Sequence, residues 1–474
     1  MSGSVLLDGG QVKHIHFVGI AGIGLSAIAR VLSADGFVVS GSDIQSSALT
    51  EDLAKLGITV ALGHRPENVA GADLVVVSSA VKDGNQEVEA ARLAGVPVVK
   101  RERVLGDMMA RKLGIAVAGT HGKTTTSAFI AYLLAALGLD PTFIVGGVLQ
   151  DHGTNARFGR GQHFVVEADE YDHMFLGLCP TLAVITVIEM DHPDCYVGIE
   201  QMTDAFSRFA QRIPAGGTLI GCADQPRVLD LMRQTQQSGT VEVVGYGLHC
   251  GQWQARSIRS NSLGGSDFVV MHKGQKAADA RIVLPGLHNV TNCLAVLAVT
   301  DRLGLDLASV IELLPGFHGV KRRFEFKGEC AGITVIDDYA HHPTEICATL
   351  AAARRRFGAR RIWVFFQPHT YTRTKALFSE FATSFDLADH VLVGEIFAAR
   401  ETDTLGLSGR DLVQKMAHSD ARFVGSLHDA ADALCAELRP DDVLVTLGAG
   451  DGYRVGEEVL ARLRAQQDSA ARRS

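Results

Sequence analysis

The sequence predicts an α/β protein of three domains, and three observations carry that prediction. At 474 residues the chain is too long for one ordinary core, and about 150 residues per domain gives three units. The stretch Gly119-Thr120-His121-Gly122-Lys123-Thr124-Thr125-Thr126 follows the apolar run Leu113 to Ala118 and leads into an apolar segment of helical period. That order of strand, glycine turn, Lys-Thr and helix is a phosphate-binding loop. Strands alternating with helical patterns before and after it indicate doubly wound sheets. The expected divisions are 1–110, 111–318 and 319–474.

The first unit opens with a short strand, His14 to Val18, running into Gly19-Ile20-Ala21-Gly22-Ile23-Gly24. Leu25, Ile28, Ala29 and Leu32 then recur at helical spacing, and Gly36 stands where that helix stops. A second strand, Phe37 to Ser40, leads to Asp43, an acid about twenty residues beyond the glycines where a ribose hydroxyl is met in nucleotide-binding β-α-β units. The glycines are ordered Gly-x-x-Gly-x-Gly rather than Gly-x-Gly-x-x-Gly, which weakens a nicotinamide reading. Leu74 to Ser79 and Val96 to Val99 continue the alternation, and the unit ends near Met109.

In the second unit the glycines Gly119 and Gly122 let backbone N–H groups turn toward phosphate oxygens. Lys123 supplies positive charge and Thr124 a hydroxyl for Mg²⁺. The loop is shorter between its glycines than the general pattern. Its helix carries Ile130, Leu133, Leu134 and Leu137 before Gly138. Strands at Gln162 to Val166 and Leu182 to Val187 end in Glu167-Ala168-Asp169-Glu170 and in Glu189-Met190-Asp191-His192, at the strand ends where ligands collect in parallel α/β sheets. ATP chemistry needs Mg²⁺ held by hydroxyl and carboxylate oxygens, so Thr124 and Glu167 are the natural pair. His192 stays open on spacing alone, since a lone histidine after a strand also serves as a surface or capping residue. Leu284 to Asn289 and a helical run from Thr291 to Leu303 close the unit.

The pattern restarts after Gly316 with Gly319 to Glu325, a strand at Thr334 to Ile336, and Asp337-Asp338-Tyr339-Ala340-His341-His342-Pro343. A strand at Arg361 to Phe366 ends in Gln367-Pro368-His369-Thr370-Tyr371-Thr372-Arg373, and Val443 to Leu447 runs into Gly448-Ala449-Gly450. Arginine suits planar carboxylates because its fork makes two parallel hydrogen bonds, which singles out Arg323 and Arg373. Arg323 has the alternative of a surface ion pair with Glu325, and His341-His342-Pro343 that of a polar turn. Zinc is not expected, because no third His or Cys stands at ligand-like spacing. The last ten residues read as a frayed tail.

The formal charge of −8 argues against nucleic acid or an anionic membrane as partner. Eight cysteines occur singly, with no Cys-x-x-Cys pair, as in a reducing cytoplasm. Met1 to Gly10 shows no basic patch followed by an apolar core, and no segment reaches the roughly 18 apolar residues of a membrane span. A cytoplasmic monomer or homodimer is expected.

Taken together, Gly22-Ile23-Gly24, the phosphate loop, Glu167 to Glu170, Asp191-His192, His288-Asn289 with Asn292, Arg323-Phe324-Glu325, Asp337 to Pro343 and Gln367 to Arg373 resemble the Mur ligases, in order along nearly the whole chain. The resemblance implies an N-terminal Rossmann-like domain for a UDP-sugar, a central P-loop ATPase-like domain, and a C-terminal Rossmann-like domain that closes over ATP and brings the amino acid. It implies that ATP and Mg²⁺ activate the lactyl carboxylate of UDP-N-acetylmuramate as an acyl phosphate, which the amine of L-alanine then attacks. Lys123 would stabilise the transferred group. Thr124, Glu167 and His192 would hold magnesium, and Gly119, Thr120, His121, Gly122, Lys123, Thr124 and Thr125 the phosphates. His288, Asn289 and Asn292 would border the adenine, with Arg323 and Asp338 reaching ATP from the third domain. Tyr339, His342, His369 and Arg373 would position the alanine and the reacting carboxylate. Gly22, Ile23, Gly24, Asp43 and Ser79 would line the UDP site, joined by Asn155 and Arg157.

No general base stands out, so the amine gives its proton to water or a nearby histidine. Relatives often carry arginine where this chain has Thr370, and a serine before the phenylalanine of Tyr171 to Phe175. No lysine lies between His192 and Leu231, so the carbamoylated lysine that bridges magnesium in some Mur ligases is not expected. The alternatives are a recycling ligase that joins a tripeptide to the same sugar nucleotide, an NAD-dependent oxidoreductase, and a nucleotide-switched binding protein without ligase activity.

Overall fold

A computed structural model describes residues 12–82 and 84–471; the expectations for Met1 to Gly10 and for residues 472–474 lie outside them. Three sheets divide the chain. The first is fully parallel, in the order Thr59–Leu62, Val38–Asp43, His14–Val18, Leu74–Val77, Val98–Lys100. Its first helix, Ile23–Ala34, starts at the glycine turn and buries Leu25, Ile28, Ala29 and Leu32, the face the spacing predicted. The chain order reverses at His14–Val18, which leaves the glycine turn and Asp43 together at the carboxyl edge of the sheet, where such folds open a ligand crevice.

The second sheet has ten strands. Its parallel centre runs Glu242–Gly247, Thr218–Cys222, Leu182–Ile185, Leu113–Ala118, His163–Glu167, Thr142–Ile144. Beyond Glu242–Gly247 lies an antiparallel meander of Trp253–Ser260, Ser266–His272 and Gln275–Ile282. Sequence reading did not place it. Only alternate residues of these strands, such as Trp253 and Ala255 or Phe268 and Val270, are buried, and the intervening polar positions dilute the signal. The helix Leu287–Arg302, which begins four residues earlier than Thr291, is buried along Cys293 to Val299 and joins sheet and phosphate-loop helix in one core.

The third sheet orders Glu325–Cys330, Ile333–Asp338, Val443–Leu447, Ile362–Phe366, His390–Val393, Ala421–Phe423, parallel except for its first strand. The expected frayed tail is instead helical: one helix spans Tyr453–Ala471. Val455, Val459, Leu460 and Leu463 recur along one face and are buried against this sheet, and the polar residues beyond continue the same helix. Among the described residues no helix is long and apolar enough to cross a membrane.

Candidate active site

The phosphate loop joins the strand Leu113–Ala118 to the helix Lys123–Ala136, in which Gly122 is the N-cap with φ 81°. Gly119 has φ 128°, and a Cβ there would lie 2.0 Å from Thr186 Oγ1. At Gly122 it would lie 2.8 Å from Asn292 Oδ1. Both glycines are therefore required by conformation and by space. Lys123 Nζ donates to the carbonyls of Gly119 (2.6 Å) and Thr120 (3.1 Å) and pairs with Glu170 Oε1 at 2.9 Å. Burial disfavours its charge, but Glu170, Asp169 and Glu167 outweigh that and raise its pKa, so Lys123 is cationic.

Glu167 accepts from Thr124 Oγ1 (3.1 Å) and from the Gly146 amide (2.7 Å). Burial raises its pKa despite Lys123, and Glu170, though fully buried, is held low by Lys123 and His192. Oε2 of Glu170 is buried with no hydrogen-bond partner. His192 adopts φ 53°, and its Nε2 stands 3.6 Å from Glu170 Oε1. A hydroxyl and two carboxylates, one of them with an orphaned buried oxygen, form the hard-oxygen set that suits Mg²⁺, with His192 beside it.

Above the loop lies a cavity of about 310 Å³, walled by Val187, Tyr246, Leu248 and Leu284. Its polar lining includes His121, Thr124, Thr125, His288, Asn289 and Asn292 from the second unit, with Arg323 and Asp338 from the third. Asn289 Nδ2 donates to the Pro285 carbonyl, and Asn292 Nδ2 to Asn289 Oδ1. Apolar walls with a few fixed amides suit a nucleobase. Arg323 does not pair with Glu325. It reaches Glu345 at 3.6 Å and stacks on Tyr339. Burial pushes Asp338 up to about 6 despite Arg323, and burial with Arg323 pulls His288 down to about 4.

The second and third units meet in an ionic network that sequence reading missed, because its members are far apart in the chain. His121 lies 3.2 Å from Glu345 Oε1 and 3.3 Å from Glu189 Oε2, which also accepts from Thr344 Oγ1. His342 Nδ1 accepts the Thr344 amide, so its Nε2–H donates to the Met190 carbonyl at 3.1 Å. Spacing shows no third His or Cys beside His341-His342 for zinc. The fold nevertheless brings donor atoms of His121, Glu189 and His342 within 4.8 Å of one another, each already hydrogen bonded.

Burial disfavours protonation of His121, but its two carboxylate partners outweigh this and raise it from 6.5 to about 9. A folded-state pKa above the ordinary value contributes stability fully below pH 6.5 and loses it as pH rises through about 9. His121→Gln is therefore expected to lower Tm at pH 6, with the gap to the unaltered protein closing above pH 9. A gap independent of pH contradicts the pairing.

Arg373 is buried. Its Nε donates to Asp191 Oδ1 at 2.8 Å, Nη1 reaches His369 Nδ1 and the His369 carbonyl at 3.1 Å each, and Nη2 lies 3.5 Å from His192 Nδ1. Burial with Arg373 pulls His369 down to about 4, leaving it neutral. The first unit meets the second through Lys100 and Ser79, both on Asp172, and Arg101 on Asp169. Asp43 accepts the amides of Ala21 and Ile44, holding the glycine turn of Gly22 and Gly24, while Ile23 is exposed. Asn155 lies beside Val145, near Glu167. Arg157 stays outside this cluster: it pairs with Asp140 at 3.2 Å and lies over Phe143, toward the start of the strands.

Three family descriptions match in sequence: Mur ligase family, catalytic domain, over residues 14–113; Mur ligase middle domain over 117–300; and Mur ligase, glutamate ligase domain, over 322–450. A UDP-N-acetylmuramate–L-alanine ligase of Geobacter sp. (strain M21) is 45% identical over 465 residues, 97% of this chain and 100% of that one. The chain belongs to the Mur ligase family. A second UDP-N-acetylmuramate–L-alanine ligase, from Sorangium cellulosum, is 44% identical over 463 residues, 96% of this chain and 98% of the relative. Among solved structures, a UDP-N-acetylmuramate-alanine ligase of Thermotoga maritima aligns with TM-score 0.80 and 32% identity, covering 96% of this chain and 99% of the other. A murein peptide ligase of Psychrobacter arcticus aligns at 0.70 and 26%, covering 95% and 98%. Glu345, which sequence reading did not single out, and Glu189 and Asp191, which it placed only at a ligand-collecting strand end, each bond a group from another unit.

Proposed function

We propose that this Mur ligase joins L-alanine to the lactyl carboxylate of UDP-N-acetylmuramate at the expense of ATP, giving the amide, ADP and phosphate in the cytoplasm. What carries the reading is the end-to-end likeness to alanine-adding ligases, at 45% identity with 97% of the chain aligned. The base of ATP fits the cavity bordered by His288, Asn289 and Asn292, and its phosphates the loop from Gly119 to Thr125. The UDP moiety fits the carboxyl edge of the first sheet, at Gly22, Ile23, Gly24, Asp43 and Ser79. We take residues 1–110, 111–318 and 319–474 as the three domains.

A carboxylate is a poor electrophile. Its oxygen first attacks the γ-phosphorus, breaking the bond to ADP and leaving an acyl phosphate. Lys123, turning from the loop carbonyls to the transferred group, stabilises the charge in flight. Thr124, Glu167 and His192 would hold Mg²⁺, which neutralises phosphate charge when bound. Arg323, on the cavity wall, adds positive charge from the third domain as it closes. The amine then attacks the acyl carbon, the tetrahedral intermediate expels phosphate, and one proton leaves to water or a neutral histidine.

The mechanism predicts an oxygen path. With ¹⁸O in the lactyl carboxylate, one labelled oxygen is expected in the released phosphate; unlabelled phosphate excludes the acyl phosphate. The recycling reading has in its favour the likeness to murein peptide ligases, that of Psychrobacter at TM-score 0.70 and one of Neisseria at 0.60, both below the 0.80 of the alanine ligase.

A further inference from the structure

Glu87 is a buried acid that no step of the reaction uses. It stands in the first turn of the helix Gln86–Leu93, beneath the carboxyl edge of the first sheet. Its Oε1 accepts from Asn68 Nδ2 at 2.5 Å and from the Arg65 amide at 3.2 Å, and its Oε2 accepts from the buried Ser42 Oγ at 2.5 Å. Burial disfavours its charge, but His16, Ser42, Asn68 and the Arg65 amide outweigh this and hold the carboxyl at about 2, so it is ionised.

A carboxylate only accepts, so the Ser42 proton is committed to Glu87. Ser42 Oγ then accepts from its other neighbour, His64 Nδ1, at 2.9 Å. This chain fixes a proton on Nδ1 of His64 and leaves Nε2 of the neutral ring as an acceptor. Nε2 has no partner among the described residues, and the ring is 20% exposed.

His64 stands where the base of a nucleotide would lie. The glycine turn follows the first strand of the sheet, Asp43 ends the neighbouring strand, and His64 follows the strand beyond, Thr59–Leu62. Leu62 pairs with Asp43 in register, and the Gly63 amide donates to the Asp43 carbonyl at 2.8 Å. A diphosphate at the helix N-terminus and a ribose at Asp43 therefore direct the base toward His64. Ile44 and Leu62 are exposed along this edge. Aliphatic side chains beside one fixed acceptor suit a flat heterocycle that carries an N–H.

We propose that His64 reads the base of the sugar nucleotide by accepting the imide N3–H of uracil, and that Glu87, acting through Ser42, is the positioning residue that keeps His64 in its accepting form. The proposal rests on the alanine-ligase reading. Cytosine carries a lone pair at N3, which would face the lone pair of Nε2, so the same device discriminates against it. The orientation of a glutamine at position 87 follows from the donors around it. Asn68 and the Arg65 amide hold an oxygen at the Oε1 position, so the NH2 group takes the Oε2 position and donates to Ser42. Ser42 then turns its proton to His64 Nδ1, and the ring proton moves to Nε2.

The test measures alanine-dependent phosphate release with UDP- and CDP-N-acetylmuramate for the unaltered protein, Glu87→Gln and His64→Ala. Histidine ¹⁵N NMR at about pH 8 reads the ring state, the His64 signal being the one lost in His64→Ala. The unaltered protein is expected to favour the uridine compound about tenfold or more in kcat/KM, with His64 protonated at Nδ1. Glu87→Gln is expected to move that proton to Nε2 and to lower the uridine-to-cytidine ratio about tenfold or more, with KM for ATP and for alanine changed less than about twofold. His64→Ala leaves Ser42 bonded to Glu87 and is expected to lose the same preference, which decides the matter should Glu87→Gln fail to fold. An unchanged ratio in His64→Ala overturns the proposal alone. So does an equal loss for both nucleotides, which marks a merely structural role, or a ring still protonated at Nδ1 in folded Glu87→Gln. No alanine-dependent release from the unaltered protein with UDP-N-acetylmuramate overturns the ligase reading and this proposal with it.

Discussion

Lys123→Ala is expected to cut turnover about 10²- to 10³-fold or more while the three sheets stay folded, because the ammonium acts on charge that develops during transfer. Among the described residues the removed side chain hydrogen bonds to the phosphate loop and to Glu170. Loss of Lys123 leaves Glu170 enclosed beside His192, and the carboxyl adapts by taking up a proton. Lys123→Met keeps the stem and isolates the charge. Phosphate release measured beside thermal melts checks both parts. Near-normal turnover in either variant refutes the role, and a lost cooperative melt shows a structural effect instead.

Gly119→Ala is expected to be nearly as severe for a different reason. The new Cβ would sit 2.0 Å from Thr186 Oγ1 and 2.9 Å from the Val187 amide, on a backbone at φ 128°. Thr186 Oγ1 bonds the carbonyls of Ala118 and His121, so the loop moves as a piece. Strain of about 1–3 kcal/mol, with the clash added, displaces the groups that receive phosphate. A fall of about 100-fold in kcat/KM for ATP is expected, together with a lower Tm. Gly138→Ala is the control: its φ of 76° is also positive, but nothing lies within 4 Å of the added Cβ. That variant is expected to lose stability alone. Equal activity losses for the two contradict the loop geometry.

The parts legible in sequence are those whose partners are close neighbours in the chain. The phosphate loop declares itself because strand, glycines, lysine and helix are contiguous. Four strands of the first sheet are readable, the first followed by a helix of simple period, while the edge strand Thr59–Leu62 was not placed. The network around Glu345 was hidden for the opposite reason. His121 and Glu345 are 224 positions apart, and Arg373 and Asp191 are 182 apart, so no local pattern marks them. Glu345 lies in the first turn of the helix Pro343–Phe357, where an acid is ordinary capping chemistry. Its contacts with His121 and Arg323 make it more than that. Arg373 drew attention as a carboxylate fork, but spacing shows only that a guanidinium is present and cannot show that Asp191 already occupies it.

The most direct measurement of the central claim is phosphate release with ATP, Mg²⁺ and UDP-N-acetylmuramate, with L-alanine or with L-alanyl-γ-D-glutamyl-meso-diaminopimelate as the amine. Release that depends on alanine, with formation of UDP-N-acetylmuramoyl-L-alanine, is the predicted result. Release that responds to the tripeptide and not to alanine contradicts it.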